Sequence, residues 1–503
     1  MKIKNFKWSC FAIIAVATMP SCSEDVLDVD PQGSIIESDY YQNEGEAYSG
    51  LISVYDMLRK HSGGFENTMA MLNAGSDDFF AGGGNATDGA GIQSFSNYSI
   101  SPSTLPSSFW NDFYQGIFKA NTLLTKLPDV PMDETVKARF AAEAMALRAY
   151  YYFELITQFK SIPLITAPLT TEQYYSTTQA ERSAVYAQIE SDLLAAINNL
   201  PGTITISNEG GRFTKGAAQG LLGKVYLYQH KNSEAAAILA EVNGTPGATN
   251  QYGNHLLTNF ADLWDLNNKY NAESLLESAH TSAGNTTWDN WGWGSDEGNT
   301  FSLMLGPRGY NAISPTAPHY LSGWSFNTAT LDLVNDMQGD PRFNETILDM
   351  TALVTSGQAT YTPANNDTGY FLKKFMPTTS DIIPGGGVQD LNYAQNTYII
   401  RLADTYLLEA EALGGSGPRA QALLDAVRAR VGLPSVPVSL PAIAHERRME
   451  LAGEGHRWRD LVRTGQAASE LASRGFIAGK HEFWPIPLRE TENTLIVQDP
   501  AYN

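Results

Sequence analysis

The chain of 503 residues is long enough to bury a large hydrophobic core or to form two subdomains. Hydrophobic residues make up 43% and charged residues 17%, which is typical of a folded globular protein and not of a disordered one. The net charge of −21 argues against nucleic-acid binding, which depends on Lys and Arg that neutralise phosphate, and favours a neutral or weakly charged ligand.

Residues 1–21 have the features of a lipoprotein signal peptide. Three lysines precede a short apolar run over residues 11–19. The run ends in Met-Pro-Ser-Cys, a small residue followed by cysteine as in a bacterial lipobox. We therefore expect a mature chain of residues 22–503 that is anchored to a membrane through acyl groups on Cys22. The alternative is an ordinary cleaved signal with an incidental cysteine. Cys10 leaves with the signal in either case, so no disulfide is expected in the mature chain.

Apolar residues recur with the period of an amphipathic helix in six stretches. The stretches are 48–58, 110–127, 136–159, 185–200, 399–413 and 420–431. Residues 222–226, Leu-Gly-Lys-Val-Tyr, match the Leu-Gly-x-x-Tyr core of a tetratricopeptide repeat, and a second helix is predicted at 233–242. Residues 401–430 predict a further pair of helices joined by a Gly-rich turn. These patterns predict a mostly α-helical fold of helix pairs, with scaffold helices at about 40–72, 107–242 and 398–465.

Two long irregular inserts, at about 73–106 and 281–324, interrupt this helical pattern. Loops of this length in a compact protein are usually functional or disordered. The second insert contains Trp288-Asp289-Asn290-Trp291-Gly292-Trp293-Gly294, and a segment this rich in Trp is a poor candidate for disorder. We therefore expect a ligand-binding site on the inserts.

The tryptophans of the second insert match the composition of a sugar site. Sugar rings stack their C–H faces on indole, and their hydroxyl groups bond to short polar side chains. The predicted ligand-binding residues of this insert are Trp288, Trp291, Trp293, Asp289, Asn290, Glu297 and Trp324. The alternative for each Trp is inward packing that holds the loop onto the helices.

The first insert adds a second group of candidates around a run of three glycines. Its predicted ligand-binding residues are Asp78, Phe79, Phe80, Asn85 and Tyr98. The Asp77-Asp78 pair has two interpretations: it bonds to sugar hydroxyl groups, or it forms a structural turn or helix cap.

The stretch 447–465, Arg-Arg-Met-Glu-Leu-Ala-Gly-Glu-Gly-His-Arg-Trp-Arg-Asp-Leu-Val-Arg-Thr-Gly, concentrates Arg and Glu in an otherwise lightly charged chain. Glu450 and Glu454 are four residues apart, which predicts that they share one helical face. We favour a charge-paired helix that docks onto the scaffold. The alternative is a site that binds an anion. After this stretch, residues 480–503 read as an extended strap across the helices.

The two ends of the chain together resemble the SusD/RagB family of outer-membrane nutrient-binding lipoproteins, named for the starch-utilisation system. Near the start, Leu27, Asp28 and Pro31 fit the pattern that follows the lipid-bearing cysteine. The second match is the pattern Arg-x-x-Glu-Leu-x-x-Glu-Gly-x-Arg-x-x-Asp-Leu-x-Arg, and it begins at Arg447. The tail also resembles the family's Pro-Ile-Pro and Gln-Asn-Pro-Gly-Tyr pattern, with Asp and Ala in place of the usual Asn and Gly.

The resemblance implies a right-handed stack of tetratricopeptide-like helix pairs with long ligand-binding loops. It also implies a lipid-anchored protein at the cell surface that captures an oligo- or polysaccharide and delivers it to a SusC-like TonB-dependent transporter. In the family the charged stretch is architectural. No enzyme activity and no cofactor are expected.

Two other functions remain open from the residues alone. A helical-repeat scaffold can bind a protein or peptide instead of a glycan. A glycoside hydrolase needs two carboxylates across the scissile bond, and Asp289, Asp296 and Glu297 flank the tryptophans. The sequence contains no metal-ligand pair of the Cys-x-x-Cys or His-x-x-x-His type and no nucleophile elbow, so neither a metal nor a nucleophilic residue is predicted.

Overall fold

The computed structural model of the chain describes residues 40–292, 297–382 and 387–503. The predicted signal peptide, the lipidation site Cys22, and Trp293 and Asp296 of the second insert lie outside the described residues. Within the described residues, no helix has the length and apolar character needed to cross a membrane.

The fold is mostly α-helical, as the sequence predicts, with helices distributed along the whole described chain. The α-helices are α1 Glu44–Tyr55, α2 Thr68–Gly75, α3 Ala90–Ser96, α4 Ser108–Lys126, α5 Glu134–Gln158, α6 Thr171–Ser176, α7 Arg182–Asn199, α8 Ile206–Glu209, α9 Lys215–Tyr228, α10 Asn232–Asn243, α11 Thr300–Met304, α12 Leu331–Asp336, α13 Phe343–Thr346, α14 Met350–Thr355, α15 Leu402–Ala412, α16 Gly417–Arg430, α17 Leu440–Leu451, α18 Arg457–Arg463, α19 Ala467–Glu470 and α20 Leu488–Thr491. The strands are β1 Ser274–Ser278, β2 Asn311–Ala312, β3 Ile347–Asp349, β4 Ala359–Thr360, β5 Tyr370–Leu372 and β6 Thr397–Arg401.

The scaffold is a series of long helices in which neighbours along the chain pack on one another. α4 packs on α5, α5 on α7, α9 on α10 and α15 on α16, while α10 also packs on α15 and so links the two halves of the chain. The longest helix, α5, begins where the Asp133 side chain accepts hydrogen bonds from the backbone N–H groups of Thr135 and Val136. Its predicted apolar stripe is buried, with Leu147 and Tyr151 fully enclosed in the main core.

The predicted tetratricopeptide-like pair is confirmed as α9 and α10. A Cβ atom built on Gly223 would lie 2.4 Å from Leu239 Cγ, which shows how closely the two helices approach at this point. Such an approach requires glycine because any side chain would meet the neighbouring helix. Tyr226 is half-buried beside the contact.

Three two-stranded antiparallel pairs complete the described part of the fold: β1 with β6, β2 with β4, and β3 with β5. The predicted helix at 399–413 is wrong over its first residues, because Ile399 and Ile400 belong to β6. Ile400 pairs with Leu276 of β1. The helix begins only at Leu402. Ile399 and Ile400 are β-branched, a feature that favours the strand.

The charged stretch 447–465 forms two helices separated by a turn. Gly453 and Gly455 lie in this turn with φ angles of 81° and 76°, a left-handed conformation that glycine adopts at little cost. Glu454 therefore lies in the turn, and the prediction that it shares one helical face with Glu450 is wrong.

The charges of this stretch are nevertheless paired inside the protein. Glu450 accepts hydrogen bonds from Arg401 Nη1 at 2.6 Å and from Arg342 Nη1 at 2.9 Å, and Glu454 accepts one from Lys374 Nζ at 2.8 Å. Burial opposes ionisation of Glu450, but the surrounding guanidinium groups outweigh it and hold its pKa well below the ordinary range. The charge-paired interpretation is confirmed, and among the described residues the anion-site alternative finds no support.

The C-terminal segment, predicted as an extended strap over residues 480–503, lies against the helices but is interrupted by the short helix α20 and by a 3-10 turn at Pro500–Tyr502. We keep the name C-terminal strap for it. Trp484 is buried, and its backbone N–H donates to Gln158 O at 2.7 Å at the end of α5. The Gln498 side chain bonds to both backbone groups of Ile486. Asp499, where the family usually has Asn, caps the last turn by accepting from Ala501 N–H at 3.1 Å. The departure at Asp499 is therefore compatible with this turn.

Candidate functional site

Three tryptophans of the second insert meet at the protein surface: Trp288 and Trp291 near its start and Trp324 at its end. Trp288 and Trp324 stack with ring centroids 6.1 Å apart and planes inclined by 27°. Trp291 meets these rings edge-on, with centroid distances of 5.8 Å to Trp288 and 6.0 Å to Trp324. We call these three rings the tryptophan platform. Trp288 is 50% exposed, whereas Trp291 and Trp324 are half-buried.

The inner side of the platform is fixed by apolar packing. Trp291 and Trp324 pack against a small cluster formed by Leu303, Leu391 and Tyr393. Such packing limits the rotation of the two inner indoles and presents Trp288 on a rigid support. Trp291 and Trp324 are therefore partly packed inward, which was the alternative interpretation for each Trp. Trp288 faces solvent.

Phe65 belongs to the same aromatic group, although the sequence did not identify it. Its ring centroid lies 6.0 Å from that of Trp324 and 5.3 Å from that of Phe326. Phe65 lies in the turn before α2 and is part of neither insert. An isolated aromatic residue in a turn carries no periodic signal, so only the fold reveals its position.

The polar residues beside Trp288 divide into exposed and structural groups. Asp289 is exposed next to the outer ring, and Glu297 is also exposed. Asn290 instead stabilises a turn, because its Oδ1 accepts from Thr287 N–H at 2.6 Å. Asn290 thus holds the loop that carries Trp288, and its carbonyl oxygen is already occupied.

The first insert joins the segment that directly follows the second insert. Gly83 N–H donates to Ser325 O at 2.7 Å, and Asn327 N–H donates to Ala81 O at 3.0 Å. A Cβ atom on Gly82 would lie 2.2 Å from Ser325 O, so this contact requires glycine. The three-glycine run that the sequence indicated as a ligand loop therefore docks directly beside the platform.

Arg308 links the loop that contains the three glycines, residues 82–84, to the platform. Its Nη2 donates to Asp88 Oδ2 at 3.3 Å and to Trp324 O at 3.2 Å, and the side chain is 41% exposed. Asn85 is exposed at the tip of the loop and accepts from Thr87 N–H at 2.9 Å. Its Oδ1 is thus occupied within the loop, as that of Asn290 is, and only the exposed position of Asn85 keeps it a candidate contact residue.

Three residues predicted as ligand contacts are buried, and the prediction is wrong for them. Phe79 is 1% exposed in the main core. Asp78 is also 1% exposed, and its Oδ1 accepts from Arg448 Nε at 2.7 Å. Tyr98 is 5% exposed, and its hydroxyl donates to Gly75 O. Each of these groups is enclosed by the protein, so none can present its polar or aromatic surface to a ligand.

Other residues of the first insert are held by arginines from the C-terminal part of the chain. The Arg474 guanidinium lies over the ring of half-buried Phe80, 4.6 Å from its centroid. Asp77 accepts two hydrogen bonds from Arg457 at 2.8 and 2.7 Å. The Asp77-Asp78 pair is therefore structural, but its carboxylates are held by ion pairs with Arg457 and Arg448 and not in the turn or helix cap that the sequence suggested. Phe80 has one face covered.

The described residues hold no group of His, Cys, Asp and Glu that could bind a metal ion.

Comparison with known proteins gives consistent matches over most of the chain. The sequence pattern of the SusD family matches residues 272–482, and a pattern described as "Starch-binding associating with outer membrane" matches residues 62–227. SusD-like protein P38 of Formosa agariphila is 26% identical over 543 residues, with 100% of both chains covered.

Solved structures resemble the chain over a similar length. A laminarin binding SusD-like protein is 62% identical, with a TM-score of 0.91 over 92% of this chain and 100% of that chain. Surface glycan-binding protein A from Bacteroides fluxus is 27% identical, with a TM-score of 0.79 over 92% of this chain and 100% of its own. The range matched by the SusD family pattern, residues 272–482, spans the positions of the three platform tryptophans.

Proposed function

This chain belongs to the SusD family, and from that membership we propose that it is a glycan-binding protein of the cell surface. It captures a neutral polysaccharide of the laminarin type on the tryptophan platform. The observation that carries the proposal is the stacked pair of Trp288 and Trp324, whose outer ring is 50% exposed on a rigid support.

The platform has the physical properties that a sugar-binding surface requires. An exposed indole presents a flat apolar face, and stacking a sugar ring on it removes that face from water. Asp289 and Asn85 lie exposed on the two loops that border the rings, where they can bond to hydroxyl groups. Rings that are fixed before binding lose little conformational freedom when the ligand arrives.

The class of glycan is inferred from the ligand of the 62% identical protein and from the net charge of this chain. The 62% identical protein binds laminarin, a neutral glucose polymer with β-linkages. The net charge of −21 repels a strongly anionic polysaccharide but is indifferent to a neutral one. A neutral β-glucan is therefore the favoured ligand.

We also propose that the captured glycan passes to a SusC-like TonB-dependent transporter and that acyl chains on Cys22 anchor the protein to the outer membrane. The family pattern described as associating with the outer membrane supports this location. The cysteine after the apolar run supports the anchor.

The protein binds the glycan without cleaving it. A glycosidase needs an acid whose pKa is raised by burial or by a neighbouring charge. Asp289 and Glu297 are both exposed residues, whereas the acid of a glycosidase lies in an enclosed environment. Incubation with laminarin is expected to release no new reducing ends, and their release would contradict this part of the proposal.

The binding proposal is tested by titration calorimetry with three polysaccharides. Laminarin is expected to bind, while dextran, a glucan with α-linkages, and alginate, an anionic polymer, bind at least about tenfold more weakly. Equal affinity for dextran would contradict the linkage preference, and failure of all three polymers to bind would overturn the proposed function.

A further inference from the structure

A groove of about 520 Å³ runs along α4, between the segment 163–177 and the C-terminal strap. We call it the α4 groove. Two exposed aromatic side chains line it: Phe118 of α4 is 47% exposed and Tyr174 of α6 is 62% exposed. Large apolar side chains that share one concave surface usually mark a binding site.

Polar side chains without partners border these aromatic rings. The side-chain amides of Asn111 and Gln115, one turn apart on α4, make no hydrogen bond within the described residues. Glu490 of the strap is half-buried at the groove, and its carboxyl group has no hydrogen-bond partner in the same part of the chain. Burial raises its pKa, which increases the share of the protonated form that donates a hydrogen bond. Aromatic surfaces bordered by unpaired amides and a carboxyl group suit a polyhydroxylated ligand.

The α4 groove and the tryptophan platform each share lining residues with the same second cavity. This cavity of about 360 Å³ is lined by Trp291 and Phe65 at one end, and it shares Asp112 and Gln115 with the α4 groove. From Asp112 to Phe118 the helix rises about 9 Å. A chain that lies on the platform can therefore extend through this cavity into the groove without leaving the surface.

We propose that the α4 groove is a second subsite, which binds the continuation of the same neutral β-glucan chain that the tryptophan platform holds. The inference rests on the proposed function, because the platform must bind the polymer for the groove to receive its extension. Two linked subsites make the second contact intramolecular, so long chains bind more tightly than short ones. The groove therefore makes the affinity depend on chain length.

The test compares laminaritriose, which is too short to occupy both subsites, with laminarin. The double substitution Phe118→Ala and Tyr174→Ala is expected to weaken laminarin binding by about tenfold and to leave laminaritriose binding unchanged. Tyr175→Ala is the matched control, because Tyr175 is 63% exposed on the same helix and does not line the groove. Its affinity for both ligands is expected to equal that of the wild type. Thermal unfolding of each variant checks that the exposed substitutions leave the fold intact.

The possible results distinguish failure of the second subsite from failure of the proposed function. If the double variant binds laminarin as the wild type does, while Trp288→Ala loses binding, the second subsite is overturned and the platform stands. If the wild type binds neither ligand, the proposed function itself fails. If the double variant keeps its laminarin affinity but no longer co-purifies with a β-barrel protein from outer membranes, the groove is a protein-docking surface and the subsite is overturned.

Discussion

Trp288 stacks on Trp324 at a centroid distance of 6.1 Å, although the two residues lie at opposite sides of a long insert. The stacked rings have different surroundings. Trp324 is supported from below by Phe65 and Trp291, while Trp288 covers it and faces solvent. The two rings of the pair therefore differ in exposure, and we expect their substitution to affect stability differently.

We expect Trp288→Ala and Trp324→Ala to differ in their effect on stability. Trp288→Ala should weaken laminarin binding by about tenfold and barely change the melting temperature, because the ring is half exposed. Trp324→Ala should weaken binding and also lower the free energy of unfolding by about 2 kcal/mol, since it removes a packed ring. Calorimetry and chemical denaturation measure the two effects. A large loss of stability in Trp288→Ala with unchanged affinity would show that this ring serves only the core.

The buried ion pairs around Glu454 should be essential to stability. Glu454→Gln leaves buried Lys374 without its carboxylate partner and removes one of the three carboxylates around buried Arg401, which keeps Glu450 and Glu273. This change is expected to lower the free energy of unfolding by about 3–5 kcal/mol. The matched control is Glu134→Gln, which removes the charge from a pair whose carboxylate is 83% exposed. That change should stay within about 0.5 kcal/mol. Equal effects in urea denaturation would contradict a special role for the buried pairs.

Buried histidines should make the protein less stable in mild acid. The His280 ring lies 2.7 Å from Ser62 Oγ, and burial lowers its pKa from 6.5 to about 3. Below pH 6.5 the unfolded chain therefore binds a proton that the folded chain does not bind. The free energy of unfolding should fall with decreasing pH, by up to about 1.4 kcal/mol per pH unit for this group.

The substitution His280→Gln isolates this effect. Between pH 6.5 and about 5, above the range where the carboxylates titrate, the variant should show a shallower slope of unfolding free energy against pH than the wild type. Exposed His319 provides the control, and His319→Gln should leave the slope as it is. Identical slopes in wild type and His280→Gln would exclude His280 as a source of the acid sensitivity.

Two glycines on α9 should respond to alanine in opposite directions. A Cβ atom on Gly223 would lie 2.4 Å from Leu239 Cγ, whereas one on Gly220 would lie 3.4 Å from its nearest neighbour, Thr405 Cγ2. Gly223→Ala should therefore lower the free energy of unfolding by about 1–3 kcal/mol through overpacking. Gly220→Ala should raise it by up to about 1 kcal/mol, because alanine favours the helix. Thermal and urea unfolding distinguish these results, and a stabilising Gly223→Ala would contradict the close helix contact.

The sequence by itself determined the helical scaffold and the region of the candidate site. Long periodic stripes such as that of α5 specify a helix locally, because their apolar residues fall on one face whatever the rest of the chain does. The Leu-Gly-x-x-Tyr motif likewise predicted the α9 and α10 pair, and the tryptophan-rich segment marked the insert where the platform forms. Local composition was sufficient for these features.

Only the tertiary structure decided which aromatic and acidic residues face solvent. Phe79 and Trp288 are both aromatic residues in irregular inserts, yet Phe79 is 1% exposed and Trp288 is 50% exposed. Asp78 is enclosed because Arg448, far along the chain, pairs with it. Phe65 joins the platform from outside both inserts. The exposure of a side chain depends on segments that are distant in sequence and pack over it, and no local pattern records those contacts.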